Sequence, residues 1–299
     1  MSLSPASPFS SAPHSLSVPA QRSREILVAR LRAAGCVFAE DEAALLLAAA
    51  DEPAELERLA SRRVAGIPLE HVLGWAEFHG QRILVEDGVF VPRRRTEFLV
   101  DLAAGRWLTD RAADVAPRAA VVVDLCCGSG ALGVVVAGLL RSTGVELHAA
   151  DIDPAAVRCA RRNVAPFGGH GYEGDLYAAL PVSLRGRVDL LLVNAPYVPT
   201  AAIGLLPPEA REHEALVALD GGCDGLAVLR RVIGGAIDWL ALSGRLLVES
   251  SEAQASELAA TVAGAGLAYE AVHSEEHDVT VVIATRPAHP HDAERAPGT

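Results

Sequence analysis

From residue 119 onward the sequence repeats one pattern, a short apolar run followed by a helical stretch, and few folds can absorb it. VVVDL leads into a helix ending near Leu140, and VELHAA leads into one starting at Pro154. VDLLLV (188–193), a helix over 224–242, RLLVES and a helix from Glu252 follow, with Ser251 and Gln254 spaced as a capping box. A third strand is expected to end near Gly174-Asp175. Runs this short and this apolar are strands buried on both faces, and each crossover through a helix returns the next strand parallel to the last. AYEAVHS and HDVTVVIATR close the pattern with no helix between them, which predicts an antiparallel hairpin. The expected class is α/β, a Rossmann-like, seven-stranded, mostly parallel sheet with helices on both faces.

The region before the sheet has a different period. Residues 1–21 are Ser/Pro-rich without periodicity and are expected to be disordered. From Ser23 a helix carries Ile26, Leu27 and Leu31 on one face and stops near Gly35; a second covers 40–50, and a third runs from Pro53 to near Gly66. Between Gly74 and Val91 the period drops to two, with Gly80 and Asp87-Gly88 as turns, which predicts a β-hairpin. The expected division is a helical domain over 22–73, a hairpin linker over 74–97, the sheet domain over 98–286 and a disordered tail over 287–299.

Charge and cysteine content narrow the chemistry. With 38 acidic against 26 basic residues, the net charge of -12 disfavours a protein that binds by broad phosphate neutralisation. Five cysteines (Cys36, Cys126, Cys127, Cys159, Cys223) form no C-x-x-C pair and fit reduced thiols in the cytoplasm. The histidines assemble no metal set. The apolar window 121–140 contains Asp124 and four glycines, so a buried strand-turn-helix is expected rather than a membrane span.

Two loops carry the chemistry. In VVVDLCCGSGALG, Gly128, Gly130 and Gly133 satisfy G-x-G-x-x-G, with Asp151 about twenty residues on, at the end of the second strand, for ribose hydroxyls. That pattern alone does not separate nicotinamide from other adenosine cofactors. Asp124, four residues before Gly128, does: an acid there repels a pyrophosphate but suits the sulfonium and ammonium of S-adenosylmethionine. Its structural alternative is a strand-end carboxylate bonded to backbone amides. The candidate cofactor loop comprises Asp124, Cys126, Cys127, Gly128, Ser129 and Gly130, joined by Asp151 and Ile152 and by Asp175 and Leu176, where Asp175 can accept from an adenine amino group or merely make a turn. Asp153, before Pro154, is the helix cap.

The second loop, Asn194-Ala195-Pro196-Tyr197, follows the buried strand VDLLLV. A carboxamide nitrogen is a poor nucleophile, so aiming it matters more than deprotonating it. The Asn194 side chain and the residue 195 carbonyl can take its two hydrogens while Tyr197 packs on the planar group. These four residues are the candidate catalytic set, and Asn194 also borders the cofactor.

Here the chain resembles class I methyltransferases with an N-P-P-Y loop, and within them the release factor glutamine methyltransferases (the HemK/PrmC family). The resemblance spans roughly 24–285. P-L-E-H-V-L-G (68–74) is similar to the family's segment before its hairpin, F-V-P-R-R-R-T-E (90–97) matches its P-R-x-x-T-E signature, and A-L-D-G-G-C-D-G-L (218–226) matches its A-L-D-G-G-x-D-G-L. It implies S-adenosylmethionine as cofactor, a helical domain that recognises a protein, and the glutamine of a release factor's Gly-Gly-Gln loop as acceptor. Thr96-Glu97 argues against the relatives that act on ribosomal protein L3.

The chain departs from the family at three points. Ala195 replaces the first proline of N-P-P-Y, Cys126 replaces the first glycine of G-x-G-x-G, and Ala215 replaces the proline after Glu214. These imply a PrmC-related paralogue. Of the three adjacent arginines, Arg93 fits the signature, and Arg94 and Arg95 are read as a solvated charge run. Thr96 is read as a helix cap or a site residue. The expectation is a monomeric, cytoplasmic protein-(glutamine-N5) methyltransferase whose partner is a release factor or another translation protein, with no membrane and no nucleic acid. A nucleic-acid N-methyltransferase, an NAD-binding oxidoreductase and a silent scaffold are the alternatives.

Overall fold

The computed structural model describes residues 18–111 and 118–288. The chain divides into two compact units, Met1–Leu73 and Gly74–Thr299. Most of both termini expected to be disordered, together with 112–117, lies outside the described residues.

The first unit contains α1 (Val18–Ala33), α2 (Ala39–Ala49), α3 (Pro53–Val64) and the short α4 (Leu69–Leu73). Helix α1 starts five residues earlier than the sequence suggests, because Pro19 falls in its first turn, where a missing N–H is no loss. Leu27, Leu31, Ala43, Leu46, Leu59 and Val72 make its core. Within it Arg63 grips Glu42 with two guanidinium nitrogens, Nε to Oε2 at 2.6 Å and Nη2 to Oε1 at 3.1 Å, both side chains being almost wholly buried. That two-point geometry ties α2 to α3.

The second unit opens with the hairpin β1 (Trp75–Phe78) and β2 (Gln81–Leu84), then α5 (Glu97–Arg111). The hairpin is part of this unit and not a linker: Phe78 and Ile83 are buried in the same core as Leu99 and Val135. The alternating region gives β3 (Ala120–Leu125), α6 (Ala131–Leu139), β4 (Val145–Asp151), α7 (Pro154–Val164), β5 (His170–Glu173), β6 (Val188–Val193), α8 (Pro208–His213), α9 (Ala227–Trp239), β7 (Leu240–Ser250), α10 (Glu252–Gly264), β8 (Ala268–Ser274) and β9 (Val279–Thr285). Seven strands lie in the order β5-β4-β3-β6-β7-β9-β8, parallel except where β9 pairs with β7 and β8. Helices α5, α6 and α7 cover one face, and α9 and α10 the other. Ser251 caps α10 through the expected box with Gln254.

One boundary moves. Helix α9 stops at Trp239 rather than near Leu242, and the chain enters β7 at once through a bulge opposite β6. Gly244 permits this, since a Cβ there would lie 2.6 Å from the Val188 carbonyl oxygen.

Asp124, fully buried on β3, accepts a hydrogen bond at 2.9 Å from the Gly133 amide in the first turn of α6. It meets a helix N-terminus from beneath, as the structural alternative anticipated. Gly133 allows the approach, because a Cβ there would stand 3.1 Å from the Asp124 Cβ and 2.9 Å from Leu147 Cδ1. Burial pushes the Asp124 carboxyl up to about 8, opposed by the Gly133 amide and reinforced by the neighbouring Asp151.

Two outcomes follow from these buried charges. Glu42→Ala leaves Arg63 buried without its carboxylate and is expected to destabilise the helical unit by about 3–5 kcal/mol, read by hydrogen exchange on α2 and α3. Asp124 holds a proton in the folded chain at pH values where the unfolded chain has lost it. Stability of the free protein is therefore expected to fall as pH rises from about 4 to about 8, by at most about 1.4 kcal/mol per pH unit. Asp124→Asn keeps an acceptor for Gly133 and should flatten that slope in urea titrations.

Candidate active site

Strand order and register bring the two loops together. After β3 the chain moves outward through β4 to β5, then returns to place β6 on the other side of β3. The connections leaving β3 and β6 diverge, which opens a crevice at the strand ends. Leu125 pairs with Ala150 on one side and Val193 on the other, so the next residues, Cys126, Asp151 and Asn194, lie abreast.

The glycine loop is ordered by its neighbours. The Cys127 amide donates to the Ala150 carbonyl at 3.1 Å, and the Gly128 amide donates to Asp151 Oδ2 at 2.8 Å. Gly128 (φ 53) and Gly130 (φ 79) take left-handed conformations, and Gly130 is the cap residue of α6. Ser129 is buried, and its carbonyl accepts from Asn163 Nδ2 at 2.8 Å. Cys126 also has a positive φ, 58°, so the thiol occupies a backbone position that glycine fills at lower strain. Burial, helped by Asp151 and Asp124, pushes the Cys126 thiol far above its ordinary range, and Cys127 likewise.

Asp151 ends β4 with Oδ1 accepting from the Asp153 amide at 2.9 Å, and its carboxyl is raised by burial against those amide bonds. Ile152 beside it is 51% exposed, an apolar side chain at the lip of the crevice. Asp153 caps α7 by accepting from the Ala155 amide at 2.8 Å. Asp175, the candidate acceptor for adenine, is engaged by a cation. Its Oδ2 accepts from Arg231 Nη2 at 2.7 Å, and Leu176 begins a 3-10 turn at φ 49. A partner for adenine at Asp175 would have to share that carboxylate with Arg231.

The Asn-Ala-Pro-Tyr loop is held from three directions. Thr96 is buried at the end of the 3-10 turn Arg94–Thr96, and its hydroxyl accepts from Asn194 Nδ2 at 3.4 Å. It serves the loop and not the cap of α5. Ala195 is buried. The Tyr197 carbonyl accepts from Gln254 Nε2 at 3.0 Å, so the residue that closes the α10 capping box also anchors the loop. Beneath lies the Ala-Leu-Asp-Gly-Gly stretch: the Val198 amide donates to the Leu219 carbonyl, the Val198 carbonyl accepts from the Gly221 amide, and a Cβ at Gly225 (φ 77) would fall 2.3 Å from the Tyr197 oxygen. At Gly221 a Cβ would fall 2.8 Å from the Pro196 oxygen. The glycines of that motif are a bare floor for the loop.

Third, Tyr197 donates its hydroxyl to Glu249 Oε1 at 3.1 Å, Arg95 Nε donates to the same oxygen at 3.1 Å, and Arg95 Nη2 also meets the Tyr197 hydroxyl. Arg94 and Arg95 are both exposed, as the solvated reading expects, but the Arg95 side chain is also engaged by the buried Glu249 carboxylate. Glu249 went unnoticed in the sequence, although an acid ending the apolar run RLLVE is the same signal that marked Asp124 and Asp151. Arg93, as its signature suggests, is engaged: Nη2 donates to both Glu214 oxygens at 2.6 and 2.7 Å, while the Val91 amide donates to Glu214 Oε1. Ala215, where the family carries proline, donates its amide to the Gly88 carbonyl at 3.2 Å, a bond proline cannot make. Glu97 accepts from the His79 amide at 2.8 Å, which ties the hairpin turn to α5.

Comparison with known proteins places this geometry. The Methyltransferase small domain family matches residues 96–205. The release factor glutamine methyltransferase of Bradyrhizobium diazoefficiens is 33% identical over 265 residues, 83% of this chain and 87% of that one. The protein of the same name from Mycolicibacterium smegmatis is 38% identical over 200 residues, 67% of each chain. In fold, the chain is similar to the catalytic domain of hMettl16 in complex with a MAT2A 3'UTR hairpin, with a TM-score of 0.50 at 12% identity, over 76% of this chain and 81% of that one. The seven-stranded sheet with its antiparallel C-terminal hairpin is the class I methyltransferase fold. By sequence, the chain belongs to the release factor glutamine methyltransferase family.

Proposed function

We propose that this chain transfers a methyl group from S-adenosylmethionine to the side-chain nitrogen of a glutamine in a peptide chain release factor, in the cytoplasm. The observation that carries the reading is the mounting of Asn194. With Nδ2 on the Thr96 hydroxyl, its Oδ1 is turned away from Thr96 and available to an acceptor N–H, at the level where the glycine loop leaves the sheet.

The residues fit the donor. A carboxylate at the end of β4 suits two ribose hydroxyls, the exposed Ile152 offers adenine an apolar face, and no Cβ projects from Gly128 or Gly130. No phosphate has to be placed beside Asp124, whose protonation is open to change by a bound cation. When bound, S-adenosylmethionine supplies an electrophilic methyl on a sulfonium. Asn194 Oδ1 and the Ala195 carbonyl each accept one hydrogen of the acceptor amide, which turns the nitrogen's weak lone pair toward that methyl. The Tyr197 ring packs on the amide plane. The nitrogen becomes strongly acidic as its new bond forms, so water can take the proton. Holding Cys126 as a neutral thiol keeps a competing nucleophile out of the site, since the thiolate is the reactive form.

The helical unit belongs to this reading as the part that recognises the protein substrate. Val37 and Phe38, 82% and 69% exposed between α1 and α2, give it an apolar contact point.

The deciding experiment incubates the purified chain with S-adenosylmethionine and a class 1 release factor and locates the methyl by mass spectrometry. Methylation on the Gly-Gly-Gln glutamine is expected; donor binding without methylation of any release factor would sink the assignment. Asn194→Ala is expected to keep donor binding and lose on the order of a hundredfold in rate. Asp151→Ala is expected to weaken donor binding by about 1.5–3 kcal/mol, read by calorimetry. Gly225→Ala forces a Cβ against the Tyr197 carbonyl at positive φ, so it should cost on the order of a hundredfold in turnover while the donor still binds.

A further inference from the structure

We propose that Glu249 and Arg95 are positioning residues for the acceptor: together they pin Tyr197 in the ring orientation that receives the substrate's planar amide. The inference rests on the methyl-transfer reading above and adds residues that this reading does not use.

The sheet sets the arrangement. Val193 pairs with Val248, so Asn194 and Glu249 occupy the next rung of adjacent parallel strands. Leu192 and Leu247, two residues back along the same strands, belong to the core under α5 and α6. By alternation Asn194 and Glu249 share one face, separated by the expected strand spacing. The turn leading into α5 then supplies consecutive partners to that rung, Arg95 to Glu249 and Thr96 to Asn194. A single turn of backbone therefore sets both the amide-aiming group and the ring beside it.

Tyr197 is fixed at both ends. Its hydroxyl sits between a cation and an anion, giving its proton to Glu249 and taking one from Arg95, while Gln254 holds its carbonyl. The Arg95 guanidinium also lies 5.9 Å from the ring centroid, covering part of the ring. The hydroxyl and the main chain are both held, so the tilt of the ring has little freedom left.

Stability does not account for Glu249. The residue is 1% exposed, and among the described residues its Oε2 meets no hydrogen-bond partner. Buried charge pairs are often no better for stability than apolar side chains of the same size, and a bare carboxylate oxygen makes this one worse. What the carboxylate provides that leucine cannot is a directed acceptor for the Tyr197 hydroxyl.

The test is a double-mutant cycle on the full chain with a release factor substrate. Glu249→Leu and Tyr197→Phe are each expected to lower kcat by about tenfold, with donor affinity by calorimetry unchanged, and the double variant should be no slower than the worse single. Glu249→Gln, whose amide oxygen still accepts, should recover most of the loss. Wild-type kcat in Glu249→Leu, multiplied losses in the double variant, or a Gln variant as slow as the Leu variant would each overturn the proposal, the last because charge and not geometry would then matter. If Glu249→Leu does not fold, Arg95→Gln, on a half-exposed side chain, takes its place in the cycle with the same expected and overturning outcomes. A crystal structure of the Leu (or Arg95→Gln) variant gives an arm independent of substrate: an undisplaced Tyr197 ring overturns the proposal even if the wild type acts on a protein other than a release factor.

Discussion

The parallel pairing of β3 with β6 is the constraint on which the crevice depends. A parallel ladder fixes where both strands stop on the same side of the sheet, and here Leu125 opposite Val193 sets the two chain exits at one level. A slip of one residue would turn Asn194 into the α9 side of the core and Asp124 away from α6, since side chains alternate with period two. Both strands are buried along their whole length, so the apolar pattern itself resists that slip. The functional geometry is in this sense a by-product of core packing.

The parts visible in the sequence are those governed by local rules. Strand runs, the order of the helices, the Ser251–Gln254 box and the glycine loop depend on neighbours a few residues away, and each is present, with helix ends displaced by a few residues. The parts that were hidden depend on pairs distant in the chain. Arg94 and Arg95 read alike, as a solvated charge run, because nothing local marks which of the two finds Glu249, 154 positions later. Thr96 could be read as a cap because a threonine before a helix usually is one; Asn194 claims its hydroxyl instead. The short segment Leu240 to Gly244 misled for a different reason. Its apolar residues extend the helical pattern of α9, and only the close approach of Gly244 to Val188 reveals the bulge.

The departures from the family pattern are each absorbed by the backbone. Ala215 gains an amide bond to Gly88 that proline would forfeit, which reinforces the Arg93–Glu214 contact beside it. Cys126 accepts a left-handed φ of 58° where glycine is at ease, and its neighbours offset part of that strain, since Cys127 and Gly128 both donate to the end of β4. Ala195 keeps the carbonyl that the acceptor requires and is buried under it, while Pro196 still restricts its conformation to the extended region.

Two glutamates, Glu214 and Glu249, show how the same segment can stiffen two loops at once. They lie in parts of the chain far apart, both with side chains 1% exposed, and each is gripped by an arginine from the stretch 93–95. Arg94, between them, faces solvent, as a spacing of two in an extended-to-3-10 segment requires. One side of the segment thus fastens the chain that follows the acceptor loop, and the other fastens the tyrosine of the loop itself. Such pairs add little net stability because desolvation offsets most of the attraction, but they tolerate few alternative arrangements. A reaction that depends on aiming a weak nucleophile gains more from that restriction than from additional stability.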